Sequence, residues 1–171
     1  AGNVQIGAAD VQAALKGVSS PKLALVGGSD TLFQSFGHLP VELAKGLIGE
    51  GHAVASWGDA ALWMAKQEIP ATTLGAQDGP LAAVGALASA GALTDLKGIC
   101  FTGLRSCREM TLALGLAGLG LKVAVAVPLP LWGSAAVRTA LSTTLAAGGG
   151  ILTHYDHPAQ GEELLSWFVR A

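Results

Sequence analysis

Three groups of residues have the types and spacing that chemistry needs. Arg105, Cys107 and Arg108 stand together ahead of an apolar run. Two guanidinium groups and a helix N-terminus favour a thiolate, which suits a reactive or ligating cysteine. The plainer alternative is a small packed hydrophobe at a strand end. His154-Tyr155-Asp156-His157-Pro158 places histidine beside aspartate, able to exchange protons. More economically, Asp156 or His157 caps a helix that begins at Pro158. Gly27-Gly28-Ser29-Asp30 closes an apolar run, either as a tight turn bonded by Asp30 or as an anion or nucleotide site.

Stronger signatures are missing from the sequence. It has no GxGxxG dinucleotide fingerprint, no GxxxxGK[ST] phosphate loop and no GxSxG nucleophile turn. HExxH and paired CxxC spacings are also lacking, so a metal site would need Cys107 to meet His154, His157 or Asp59 in space. No metal ligand set and no catalytic residue is assigned.

These groups all follow apolar runs, and the runs alternate with helical spacing. Strands are expected at Lys22–Gly27, His52–Ser56, Lys97–Thr102, Lys122–Val127 and Ile151–His154. Helices are expected over Pro40–Gly49, Ala60–Gln67 with Asp59 as cap, Pro80–Leu93, Arg105–Leu119, Ser134–Ala147 and Pro158–Val169. Strands that are apolar throughout, separated by helices, indicate parallel pairing with both faces covered. The fold class is therefore α/β: a single Rossmann-like domain over 21–171, with an open, mostly parallel sheet of about five strands flanked by helices. Residues 1–20 form a helical lead-in around Ala9–Gly17.

In such a sheet ligands bind outside the carboxyl ends of the strands. That selects Gly27, Gly28 and Ser29, Gly103 and Ser106, and Gly133 and Ser134 as candidate cofactor-binding residues, for a nucleotide or flavin. Trp57 and Trp132 lie in these post-strand loops and are expected to touch a partner, with Trp63 and Trp167 as core or interface anchors. Gly115, Gly118 and Gly120 are expected to let the apolar Met110–Leu121 helix approach its neighbours closely. That helix is apolar nearly all round, so it is central or covered by another chain.

Composition narrows the class. Of 171 residues 51% are hydrophobic and 13% charged, with a net charge of −2, which excludes a disordered chain and leaves no basic stripe for nucleic acid. No apolar stretch is both long enough and unbroken enough to span a membrane. No secretory leader is read at the start of the sequence, and Cys100 and Cys107 form no disulfide framework, so a reduced, cytoplasmic protein is expected.

Several loops together resemble one superfamily, the nickel–iron carbon monoxide dehydrogenases and the related hybrid-cluster proteins. Leu25-Val26-Gly27-Gly28-Ser29-Asp30 is similar to a family strand that ends in glycine and a cluster-ligating cysteine, with Ser29 in the cysteine position. Trp57-Gly58-Asp59-Ala60-Ala61 resembles a second strand and Gly-Cys turn, with Asp59 replacing the cysteine. Ala113–Val127, Pro128-Leu129-Pro130-Leu131-Trp132-Gly133-Ser134, Gly148-Gly149-Gly150 and Asp156-His157-Pro158 resemble the family's last third. The resemblance implies the fold without the cluster, because serine and aspartate are poor ligands for a cluster held by thiolates. It further implies an accessory subunit, inactive alone, of an anaerobic oxidoreductase complex for one-carbon chemistry, of the carbon monoxide dehydrogenase/acetyl-CoA synthase type. The small epsilon subunit of that complex is a related candidate. The iron–sulfur or nickel cluster is then expected in a catalytic partner, in a hetero-oligomer.

Overall fold

The structure, a computed structural model, describes residues 22–28, 37–69, 72–73, 79–89, 91–104, 107–127, 135–154 and 159–170. The expected helical lead-in lies outside them. The elements in order are β1 (Lys22–Gly28), α1 (His38–Gly49), β2 (His52–Trp57), α2 (Gly58–Lys66), β3 (Thr72–Thr73) and α3 (Gly79–Ser89). There follow a 3₁₀ turn (Leu93–Asp95), β4 (Leu96–Phe101), α4 (Cys107–Gly118), β5 (Val123–Val127), α5 (Ala135–Ala147), β6 (Ile151–His154) and α6 (Ala159–Arg170). The strands form one all-parallel sheet in the order β3-β2-β1-β4-β5-β6. All five expected strands are present, and the two-residue β3 is an addition.

Strand periodicity divides the core into two unlike faces. Ala24, Val26, Cys100, Ala124 and Ala126 point to the first, where α1, α2 and α6 supply Leu39, Leu43, Leu47, Met64, Leu164 and Phe168. Leu23, Leu25, Ile99, Phe101, Val123 and Val125 point to the second, where α3, α4 and α5 include Leu87, Ala113, Ala117 and Leu145. The first face is thus small on the sheet and bulky on the helices, and the second is bulky on the sheet. Gly98 on β4 extends the small surface: a Cβ there would stand 2.7 Å from the Trp167 ring and 2.8 Å from the Phe168 ring. Matching large against small in this way fills the space between layers at native density.

Three sequence expectations change here. Asp59 does not occupy the cap of α2; the N-cap is Trp57, in extended conformation, and Asp59 sits inside the first turn, where a carboxylate favours the helix dipole. The helix expected over Pro80–Leu93 stops at Ser89, and Leu93 belongs to the 3₁₀ turn. The glycines of the Met110 region do not serve close packing, because a Cβ at Gly115, Gly118 or Gly120 would meet nothing within 4 Å. Gly120 instead ends α4. The Gly120 N–H donates to the Ala117 carbonyl and the Leu121 N–H to that of Leu116, with Gly120 left-handed at φ 82°. That is the Schellman stop. It recurs after α3 at Gly91 and after α5 at Gly149.

His52 opens β2 with 5% of its surface exposed, and neither ring nitrogen makes a hydrogen bond of good geometry. Burial is the main cause that lowers its pKa below 6.5. Lys22 acts the same way, outweighing in turn the opposing pull of the Leu47 carbonyl and of Glu50, and Lys97 adds a smaller push in the same direction as Lys22. The folded state therefore holds His52 neutral while the unfolded chain protonates near 6.5. Its contribution to stability is complete above that pH and is lost as pH falls from there toward the lowered folded value. Urea unfolding at pH 7.5 and 5.5 is expected to show lower stability at the acid pH, with His52→Phe reducing the difference; an unchanged difference in that variant would contradict this account.

Candidate functional site

The order of strands reverses between β1 and β4, so helices leave these neighbours toward opposite faces. That switch point is where open α/β sheets bind ligands. Its floor is main chain. The carbonyl of Gly27 accepts from the Thr102 N–H at 2.7 Å and from the Thr102 hydroxyl at 3.1 Å. One strand away, the Ser56 hydroxyl donates to the Val26 carbonyl at 2.7 Å. Gly28 forms a parallel bridge with Gly58, the first residue of α2.

Glycine is required at 28. Its φ is +134°, which side chains disfavour, and a Cβ would stand 2.8 Å from the Thr102 nitrogen and 2.9 Å from Gly103 N and O. The structure therefore brings Gly27 and Gly28, which end β1, together with Gly103, just after β4. Ser29, Ser106, Gly133 and Ser134 lie outside the described residues. Sequence reasoning did not select Gly58, Ser56 and Thr102; the two hydroxyl residues end apolar strands, where a buried hydroxyl needs a main-chain partner.

Trp57 is a correction. Expected to face a partner, it is buried, with its ring against Gly27 and edge-on to Phe101 at 5.4 Å and 74°. β2 runs one residue further than expected, and alternation then turns Trp57 to the same side as Ala55, into the second face. Trp132 lies outside the described residues. Trp63 is half-buried under the Lys66 ammonium, 4.4 Å from the ring centroid, and Trp167 donates its indole N–H to the Gly149 carbonyl at 3.1 Å.

The chemistry available at this floor is limited. Ser56 and Thr102 spend their hydroxyls on carbonyls. Cys100, just below, is wholly buried, and burial pushes its thiol pKa far up, so it is neither nucleophile nor ready ligand. Arg108 and Glu109 stand in the first turn of α4, which Cys107 opens; the Cys107 side chain, with Arg105, lies outside the described residues. His154 ends β6, and the described part of the chain stops there before resuming at Ala159. Among the described residues no three histidine, cysteine or acidic side chains converge on a point that can hold a metal. No described helix is long and apolar enough to cross a membrane.

Compared with solved structures, the fold overlays on an as-isolated, nickel-free carbon monoxide dehydrogenase from Thermococcus sp. AM4, with a TM-score of 0.71. This is a carbon monoxide dehydrogenase-like fold. The match covers 96% of this chain but 33% of the enzyme's, at 18% identity. The chain thus spans about a third of the length of the enzyme it matches. No family model matches the sequence, and no curated protein does.

The main-chain floor makes a direct prediction. Gly28→Ala is expected to lower stability by roughly 2–4 kcal/mol, from strained φ and backbone overlap together. Chemical denaturation measures this; a loss under about 0.5 kcal/mol would mean that the floor yields easily.

Proposed function

We propose that this chain is a non-catalytic accessory subunit of an anaerobic carbon monoxide dehydrogenase/acetyl-CoA synthase-type complex, working in the cytoplasm and docked on a cluster-bearing partner. One observation carries the reading. Nearly the whole chain follows a third of a carbon monoxide dehydrogenase, yet Ser29 and Asp59 stand where the resemblance puts cluster cysteines. Oxygen donors do not suit a cluster held by soft thiolates, so these residues do not fit the group. Cys100 offers no substitute from inside the sheet. The chain then contributes shape and contact surface, and bond-making belongs to the partner.

The outer side of α4 suits docking. Gly115 and Gly118 have open space above them, and Leu119 just beyond is 77% exposed. Glycines let another backbone approach closely, and an exposed leucine beside them supplies an apolar anchor.

A second reading rests on the uncapped start of α2. Trp57 provides no side-chain bond to the first-turn N–H groups, and these lie beside the glycine floor, where an anionic nucleotide or flavin would find donors. A thermal shift with FMN, NADH or ADP would favour that reading.

Purification from the native source is expected to recover this chain with a nickel- and iron-containing partner in fixed ratio. Leu119→Glu is expected to weaken that association at least tenfold, as loss of an interface anchor does. A metal-free chain that elutes without any such partner would overturn the proposal.

A further inference from the structure

β6 is an end of the sheet. β5 pairs with one side of it, and among the described residues no strand pairs with the other. Unpaired edges recruit strands, and proteins blunt them with lysine, proline or brevity. The opposite end, β3, is two residues long. β6 is four residues, Ile151–His154, and carries neither lysine nor proline.

Beside β6 runs an open groove of about 680 Å³, walled by α6 and including Ile151 in its lining. Its charges have a direction. Arg170 ends α6 and Lys122 precedes β5, so both stand where β6 begins. Glu162 and Glu163 lie in the first turns of α6, near the other end of the strand, where the Thr153 hydroxyl donates to Glu163 at 2.7 Å. Between them, Trp167 is tied to Gly149. Along α6 the two signs are separated by roughly 10–12 Å at 1.5 Å per residue. The four residues of β6 span roughly 10 Å.

A row that is positive at one end and negative at the other complements itself when reversed. Self-complementarity is what a two-fold interface demands, and an unrelated strand would have no need of it. We propose that the β6 edge is the interface of a symmetric dimer of this chain. Two β6 strands pair antiparallel across the axis, and the two sheets become one. Arg170 of each copy then faces Glu162 of the other, at matching spacing. So short an edge makes a small interface, and the dimer is weak and salt-sensitive. This surface is separate from α4 and does not depend on the accessory-subunit reading.

Sedimentation equilibrium of the full chain tests it with wild type, Glu162→Arg, Arg170→Glu and the double reversal, at roughly 0.05 M and 0.5 M salt. Both positions are exposed on α6, so the fold is expected to persist. Wild type is expected to dimerise more weakly at high salt, each single reversal to weaken the dimer by about tenfold or more, and the double to recover most of that loss. Amide exchange at Ile151–His154 is expected to slow as wild-type concentration rises. A monomer at every concentration, a dimer indifferent to the single reversals, or no recovery in the double would overturn the proposal.

Discussion

The carbonyl of Gly27 ties the two halves of the sheet together. It takes both the N–H and the hydroxyl of Thr102 at the one place where the strand order reverses. With β1 fixed to β4 there, Gly28 has room only as glycine, and its bridge to Gly58 sets where α2 begins. Trp57 then has a flat main-chain surface to lie on, and its edge contact with Phe101 closes the second face. A side chain at either glycine would separate these contacts together.

The scarcity of charge follows from the same architecture. A parallel sheet covered on both faces needs apolar residues at successive strand positions, and its helices need an apolar stripe as well. Small residues on one sheet face and large ones on the other divide the volume between sheet and helices, so alanine and glycine become structural choices. Among the described residues, α6 carries a directional set of the charges that remain.

Much of this was legible in the residues. Apolar runs such as Leu23–Val26 and Val123–Ala126 fixed five strands, and the alternation fixed their parallel pairing. β3 was not legible, since Thr72–Thr73 is too short to show a period. Gly120 was misread because a glycine next to an apolar helix looks alike whether it packs or stops the helix; only hydrogen bonds to Ala117 and Leu116 distinguish the two. Trp57 was misread through a boundary error of one residue, which in a strand reverses the face. That Gly27, Gly28 and Gly103 lie near one another was legible because strand ends in this fold class converge, while the bonds of Ser56 and Thr102 join residues 30 and 75 positions apart and leave no local pattern.

The last helix has a consequence for how the chain acquires its structure. α6 returns across the sheet to the face of α1, where Leu164 and Phe168 fill the space above Ala24, Cys100 and Ala124. A chain made from its N-terminus therefore completes β1 and α1 long before the residues that cover them exist. Until Phe168 has left the ribosome, that face is covered only in part, by the side chains of α1 and α2, and the volume that Leu164 and Phe168 fill stays open. Closing it requires contacts across most of the sequence, which slows folding relative to local pairing. During that interval the nascent chain presents an apolar surface to whatever is nearby, including a chaperone or another copy of itself.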